Sequence, residues 1–354
     1  ITSVGTLSAL TVAGNLSVNG GTIKLDGNYP TGSFNVALGD IALQSGSLSG
    51  GSNTAIGRGS LYNNTSGANN TGIGRGSLDA NTTASNNTAV GMNAMFANTT
   101  GTQNVAVGAI SLDANTTGDN NTALGYQALT ANTTADGNTA LGSGAMITST
   151  TASGDTAVGA FAMLRTTTGS QNTAVGLSAM ENTTTGYNNT SVGWESMKAN
   201  TEGALNVAVG QQAMLANTTG DKNVCVGHNT LAANTTADNN TAIGDNALGA
   251  NTTGANNTAC GQAAFAACTT GSDNAALGTG AGLALTTGSN NLLLGHDAGR
   301  TGSPGGNITS GSNTIVLGDE NIGNAHIQVD WTVASDQRDK TDFTALDLGL
   351  DFVK

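Results

Sequence analysis

The residues best equipped for covalent chemistry stand near the end of the chain, where Ser335, Asp336, Arg338 and Lys340 fall close together behind Trp331. A serine hydroxyl is a weak nucleophile until a neighbouring base takes its proton. A lysine amine is such a base only where desolvation or nearby cations lower its pKa. Five residues apart on one helix, hydroxyl and amine would point to different faces, so the pair must span a turn or meet across subunits. The plainer reading of the same residues is a helix-capping Ser335 and a solvated Lys340.

Other chemistry-bearing residues form no constellation. Cys225, Cys260 and Cys268 replace a small residue, a valine and an asparagine at three repeat phases. They lack the short clustered spacing of a zinc site, so free thiols and no bound metal are expected. His228 and His296 are 68 residues apart, which is four repeats and about 19 Å at β-stacking distance. They cannot share an ion within one chain, and His326 stands alone. Asn81, Asn98, Asn115 and Asn132 open Asn-Thr-Thr sequons, but their single repeat phase reads as a stacked asparagine column. Tyr62, Phe96, Tyr126, Tyr187 and Trp194 are scattered rings of a kind that stack on sugars. There are no paired carboxylates in a recognisable setting, no phosphate-cradling loop and no calcium-type repeat. No cofactor and no turnover of an external substrate are therefore expected.

Whatever positions these groups is a repeat. Fifteen glycines, from Gly57 and Gly74 to Gly278 and Gly295, stand at an unbroken interval of 17 residues. A fixed period without insertions means one unit stacked on itself. The consensus is N-T-A-V-G-x-x-A-L-x-A-N-T-T-G-x-N. The residue before the glycine is apolar in every copy, from Leu38 and Ile56 to Leu294, and is expected inside. The recurrent alanine before it suggests a second close contact, most simply with neighbouring chains. Four residues past the glycine comes Leu, Met or Phe in each copy from Leu43 to Phe265. Each coil thus promises two sizeable core residues on two or three short strands. Threonine recurs eight residues past the glycine in fourteen successive copies, from Thr65 to Thr286, as a ladder.

Burying one Val and one Leu yields roughly 1.5 to 3 kcal/mol each. Ordering each residue costs roughly 1 to 2 kcal/mol, so one coil cannot stand alone. Stacking at about 4.8 Å supplies the missing bonds and makes a rod of roughly 80 Å. The ends depart from the rule. The interval from Gly39 to Gly57 is 18, Gly282 and Gly299 replace the bulky residue, and a Gly/Ser/Pro stretch from Thr301 to Gly306 lengthens the last interval. Composition agrees with a stacked polar β structure: 52 glycines, 2 prolines, 3% aromatic and 9% charged residues, with a net charge of −13. Nucleic acid is excluded as a partner by the lack of a basic footprint. Membrane insertion is excluded by the lack of a run of about 20 apolar residues. The chain opens on Ile1 without a visible signal peptide and reads as a processed or partial product.

The unit N-T-A-V-G-x-x-A-L resembles the head repeat of trimeric autotransporter adhesins. It is more similar still to the N-T-T-G-x-N-N-T-A-V-G arrays of phage tail-fibre proteins, over residues 34 to 318. The segment Trp331 to Lys340 resembles the S-D-x-R-x-K opening of the endosialidase-type intramolecular chaperone, the self-cleaving C-terminal domain of many phage fibres. That resemblance implies a dyad, with Ser335 as nucleophile, Lys340 as its base, and Asp336 and Arg338 in support. Its product is a single maturation cut. Asp339 stands where many members have an apolar residue.

Together these features predict an all-β fold, a repetitive parallel β-solenoid or β-roll with 17-residue coils in an elongated homotrimer. The expected organisation is a lead-in or shaft of short strands over 1–33, the repeat solenoid over 34–300, cap or tip strands over 301–334 and the start of the chaperone over 335–354. The function implied is a virion tail fibre or receptor-binding protein, extracellular, that attaches to a host receptor, a glycan among the candidates. Its N-terminal end would join other tail proteins. The alternatives are a bacterial surface adhesin of the same architecture, a glycan-degrading tailspike and an ice-binding solenoid.

Overall fold

A computed structural model of the chain describes residues 34–324. The described residues as far as Asp319 belong to one compact unit, and residues 320–324 to a second in which no strand is described. The first unit is a β-solenoid. Seventeen strands of three residues run from β1 (Val36–Leu38) and β2 (Thr54–Ile56) to β16 (Leu292–Leu294) and β17 (Ile315–Leu317). They pair in chain order into a single parallel sheet. The register steps by one repeat at each pairing, as in Thr139↔Thr156, except at the two irregular ends. Val36 pairs with Thr54 across the longer first coil, and Leu292 with Ile315 across the longer last one. The extra residues of that last coil are taken up in a turn. Ser303 Oγ donates to Arg300 O (2.8 Å) and accepts the Gly299 N–H (3.0 Å), and Ile308 N–H returns to Gly299 O (2.9 Å).

Each coil has one strand, not the two or three expected. The cause lies in the backbone of the remaining residues. Two, four and twelve positions past the glycine the chain turns left-handed, as at Asn93 (φ 55°), Met95 (φ 51°) and Gln103 (φ 58°). Such φ values lie outside the β region, yet the peptide groups still bond from coil to coil. Leu61 N–H reaches Ser77 O (3.0 Å), Asn63 N–H reaches Asp79 O (3.0 Å) and Thr65 N–H reaches Thr82 O (2.8 Å). Inter-coil bonding is thus continuous where regular strand geometry is not.

The interior also corrects the expectation about core residues. Strand side chains alternate between faces, and here the alanine of Thr-Ala-Val points in. From Ala55 to Val316 the middle strand residue is buried, while none of the apolar residues before the glycine is. Alanine therefore packs in its own chain's core, not against a neighbour. Each coil contributes one sizeable core residue, the Leu, Met or Phe four past the glycine, fully buried from Leu43 to Phe265. That column contains no Val, Ile or Thr. Its φ, such as 52° at Leu61 and 51° at Met163, is one that β-branched residues avoid.

Near the C-terminal end the volume moves to other columns. Gly282 and Gly299 bring no side chain, while Leu285 occupies an asparagine position and Leu293 an alanine position, both fully buried. A Cβ on Gly282 would meet Phe265 Cε1 at 2.3 Å, and one on Gly299 would meet Leu293 Cδ2 at 2.2 Å. The core is refilled, as close packing demands.

Side-chain ladders complete the stack. In the column seven past the glycine, Asn98 Nδ2 donates to Asn81 Oδ1 (3.1 Å) and Asn115 Nδ2 to Asn98 Oδ1 (2.8 Å). In the column before the strand, the backbone N–H of Asn87 donates to Asn70 Oδ1 (3.0 Å). The threonine ladder forms as expected, with each hydroxyl on a backbone carbonyl: Thr82 Oγ1 donates to Thr99 O (3.1 Å) and Thr99 Oγ1 to Thr116 O (3.0 Å).

The repeat glycine fixes how closely these layers approach. At Gly142 φ is +145°, and an added Cβ would lie 2.4 Å from Gly159 O. Gly142→Ala therefore meets both backbone strain and a carbonyl, and is expected to cost at least about 2 kcal/mol. Chemical denaturation beside Thr151→Ala, an exposed site in the same coil, measures the difference; equal midpoints would refute the tight contact.

Candidate interaction surface

With alanine inside, the residues on either side of it face outward. Leu38, Ile73, Leu124, Leu141, Val192, Val226, Ile243, Leu277 and Leu317 are exposed, and the rest of that rank is half-buried. The parallel rank two positions earlier holds Thr or Val in nearly all coils, then Ala275, Leu292 and Ile315. Neither rank contains a charged residue from β1 to β17. The outer face of the sheet is thus a strip of apolar and threonine side chains crossing every coil. A patch of this continuity is characteristic of a contact surface. A shallow depression of about 370 Å³ lies on this side at the C-terminal end, where the small Ala275 sits beside Asn291, Leu292 and Ile315. Asp273 is its one titratable group.

Several acidic residues elsewhere serve the backbone. Asp136 Oδ1 accepts the Asp119 N–H (2.7 Å) and Asp238 Oδ1 the Asp221 N–H (2.7 Å), a role that serine fills in other coils. Lys198 bridges Glu195 (2.6 Å) and Glu181 (3.7 Å), and Gln212 Nε2 donates to Glu195 Oε2 (3.0 Å). The hydrogen bond from Lys198 holds the Glu195 carboxyl below its usual range, and Glu195 in turn raises the Lys198 ammonium.

His228 pairs with Asp245 (2.8 Å) and His296 with Asp319 (3.3 Å), each across one coil step. Among the described residues no three His, Cys, Asp or Glu side chains converge as a metal site. Tyr62, Phe96, Tyr126, Tyr187 and Trp194 are all exposed, as is Phe161. They fall at four different repeat phases, Tyr62 sharing one with Phe96 and Tyr126 one with Trp194, so they form no single rank.

Two readings of sequence motifs are settled by burial. The sequon asparagines Asn81, Asn98, Asn115 and Asn132 are fully buried in the ladder, so the folded chain offers none of them for glycosylation. The three cysteines are free thiols, as expected. Burial pushes the Cys225 and Cys268 thiols up. Cys268 Sγ donates to Gly271 O (3.7 Å), the task of the asparagine it replaces.

Ser335, Asp336, Arg338 and Lys340, with His326, lie outside the described residues. No protein-family model matches the chain, and no curated protein matches it. Sequence reasoning missed the outward strip by ranking side chains on size alone. The strict alternation Thr-Ala-Val, with the smallest residue in the middle, was the available signal.

Buried, protonated thiols are poor nucleophiles. Cys225 and Cys268 are expected to resist a chromogenic disulfide reagent until the chain unfolds. Fast reaction of either thiol at native pH would contradict their placement.

Proposed function

We propose that this chain is the rod of a homotrimeric phage tail fibre or receptor-binding protein that mediates attachment to a host cell. The observation that supports this most is the uncharged outer strip of the sheet. In a lone solenoid it leaves Leu, Ile or Val facing water at nearly every coil. Packing three copies side by side along it would cover the strip on each. A rotationally closed set also avoids open-ended growth. The number three comes from the resemblance of the repeat to trimeric autotransporter heads and tail-fibre arrays.

A rod of this kind suits a mechanical role. Backbone bonds, asparagines and threonines tie each coil to both neighbours, and the regular 17-residue coils carry no inserted loops that could wall a substrate cleft. The trimer would present its polar Asn/Thr surface and exposed rings to a host receptor, a glycan among the candidates, at the virion tail. Maturation would follow by one cut near Ser335, with Lys340 as base and Asp336 and Arg338 in support.

Native mass spectrometry tests the assembly. The wild-type chain is expected to be a trimer, and Val158→Lys/Val175→Lys/Val192→Lys, three neighbours on the outer strip, a monomer with an intact solenoid by circular dichroism. A monomeric wild type, or a trimer unmoved by the three lysines, would sink the assembly. Intact mass tests the cut separately: in the full-length gene product, loss of the C-terminal segment is expected with Ser335 and not with Ser335→Ala.

A further inference from the structure

In the regular coils two interior asparagine columns aim at one carbonyl. Asn70 Nδ2 donates to Ala84 O (2.8 Å), and so does Asn81 Nδ2 (3.1 Å). The same convergence recurs at Gly101 and Gly118, and beyond the middle of the rod at Gly203 and Gly220. At Gly169 both donors are replaced: Asp155 stands in the first column and Thr166 in the second.

Asp155 nevertheless holds the asparagine pose. Its N–H donates to Asn138 Oδ1 (2.9 Å), and its Oδ1 accepts the Asn172 N–H (2.7 Å). A planar carboxyl anchored in this way carries Oδ2 where the neighbours carry the amide nitrogen, towards the Gly169 carbonyl. Asp155 and Thr166 are fully buried, and both Asp155 Oδ2 and Thr166 Oγ1 lack a hydrogen-bond partner. An ionised carboxylate only accepts hydrogen bonds. It would set two acceptors against each other in the interior, at the full desolvation cost.

We propose that Asp155 is a proton-dependent latch: folded, it carries a proton on Oδ2 and donates it to the Gly169 carbonyl in place of the missing amide, and losing that proton loosens the surrounding coils. Solvent supplies and receives the proton. The position is one where loosening would begin. Asn132 Oδ1, Ser149 Oγ, Asp155 Oδ2, Thr166 Oγ1 and Thr183 Oγ1 are all buried without partners, so the ladder is weakest in this stretch. Local opening follows low local stability.

Burial pushes the Asp155 carboxyl from 3.8 up to about 7, against a downward pull from the Asn172 hydrogen bonds. A raised carboxyl pKa means that the folded state keeps a proton the unfolded chain has lost. Stability at this site therefore falls as pH rises from about 4 through about 7, and is level above. The groups facing Asp155 from the flanking coils, Asn138 and Asn172, and Thr166 in its own coil, do not titrate. Asp136 and Arg165 are exposed at the surface, and Glu181 is half-buried.

The test compares the full chain with Asp155→Asn, which restores the consensus amide. Infrared difference spectra should show a protonated carboxyl band that is present in the wild type below neutral pH, fades above it, and is missing from the variant. Melting temperatures of the two should coincide in mild acid and separate by several degrees in mild base, with the wild type lower. A melting gap independent of pH, or a difference spectrum with no protonated carboxyl, would overturn the latch. Hydrogen exchange in the wild type alone gives an independent reading. Exchange of the Asn172 amide relative to Asn104, its counterpart in a regular coil, should accelerate as the proton is lost, and a constant ratio would count against the proposal.

Discussion

The contact between stacked repeat glycines sets the layer spacing on which the other interactions depend. Where a methyl group would lie 2.4 Å from the next coil's carbonyl, as at Gly142, only glycine permits the approach. That approach brings peptide groups of successive coils within hydrogen-bond reach around most of the turn, including the left-handed corners. It also brings Asn98 within reach of Asn81 and Asn115, and Thr82 within reach of the Thr99 carbonyl. Stacked ladders of identical polar side chains are economical here because one spacing satisfies every rung.

A narrow interior follows from so short a coil. One Leu, Met or Phe per layer fills it, with alanine and serine completing the wall. This is why larger apolar residues stand outside and why Gly282 and Gly299 are tolerated only where Leu285, Leu293 and Phe265 take up the space. The outward Val, Leu and Ile add nothing to that core. In the proposed trimer they are the surface on which one solenoid would meet another.

Much of the fold was legible in the residues. The period, the parallel stacking, the threonine ladder, the asparagine column seven past the glycine and the lengthened last coil all follow from positions that recur. What was not legible was direction. Leu124 and Leu141 look like core residues by size and alternate with an alanine that does not, yet Ala123 and Ala140 are buried and the two leucines are exposed. Hydrophobicity ranks residues by their gain on burial, but a cavity one side chain wide ranks them by fit. The second asparagine column was hidden for a related reason. Asn70 and Asn87 precede a strand and resemble turn residues, whereas their side chains are buried rungs. The left-handed corners were partly visible in the Asn and Gln preference twelve past the glycine, and hidden at the Leu and Met column, where composition signals only apolarity.

A register held by the repeat glycines makes one sharp demand on the chain: whole coils are removable and partial coils are not. Thermal unfolding of a chain lacking residues 91–107, one full 17-residue repeat, beside a chain lacking residues 91–106 decides the point. The whole-coil deletion is expected to melt close to the parent. The shorter deletion, which slips the glycine, alanine and asparagine columns by one position, is expected to melt well below it. Equal melting of the two, or collapse of the whole-coil deletion, would contradict a solenoid whose stability resides in that register.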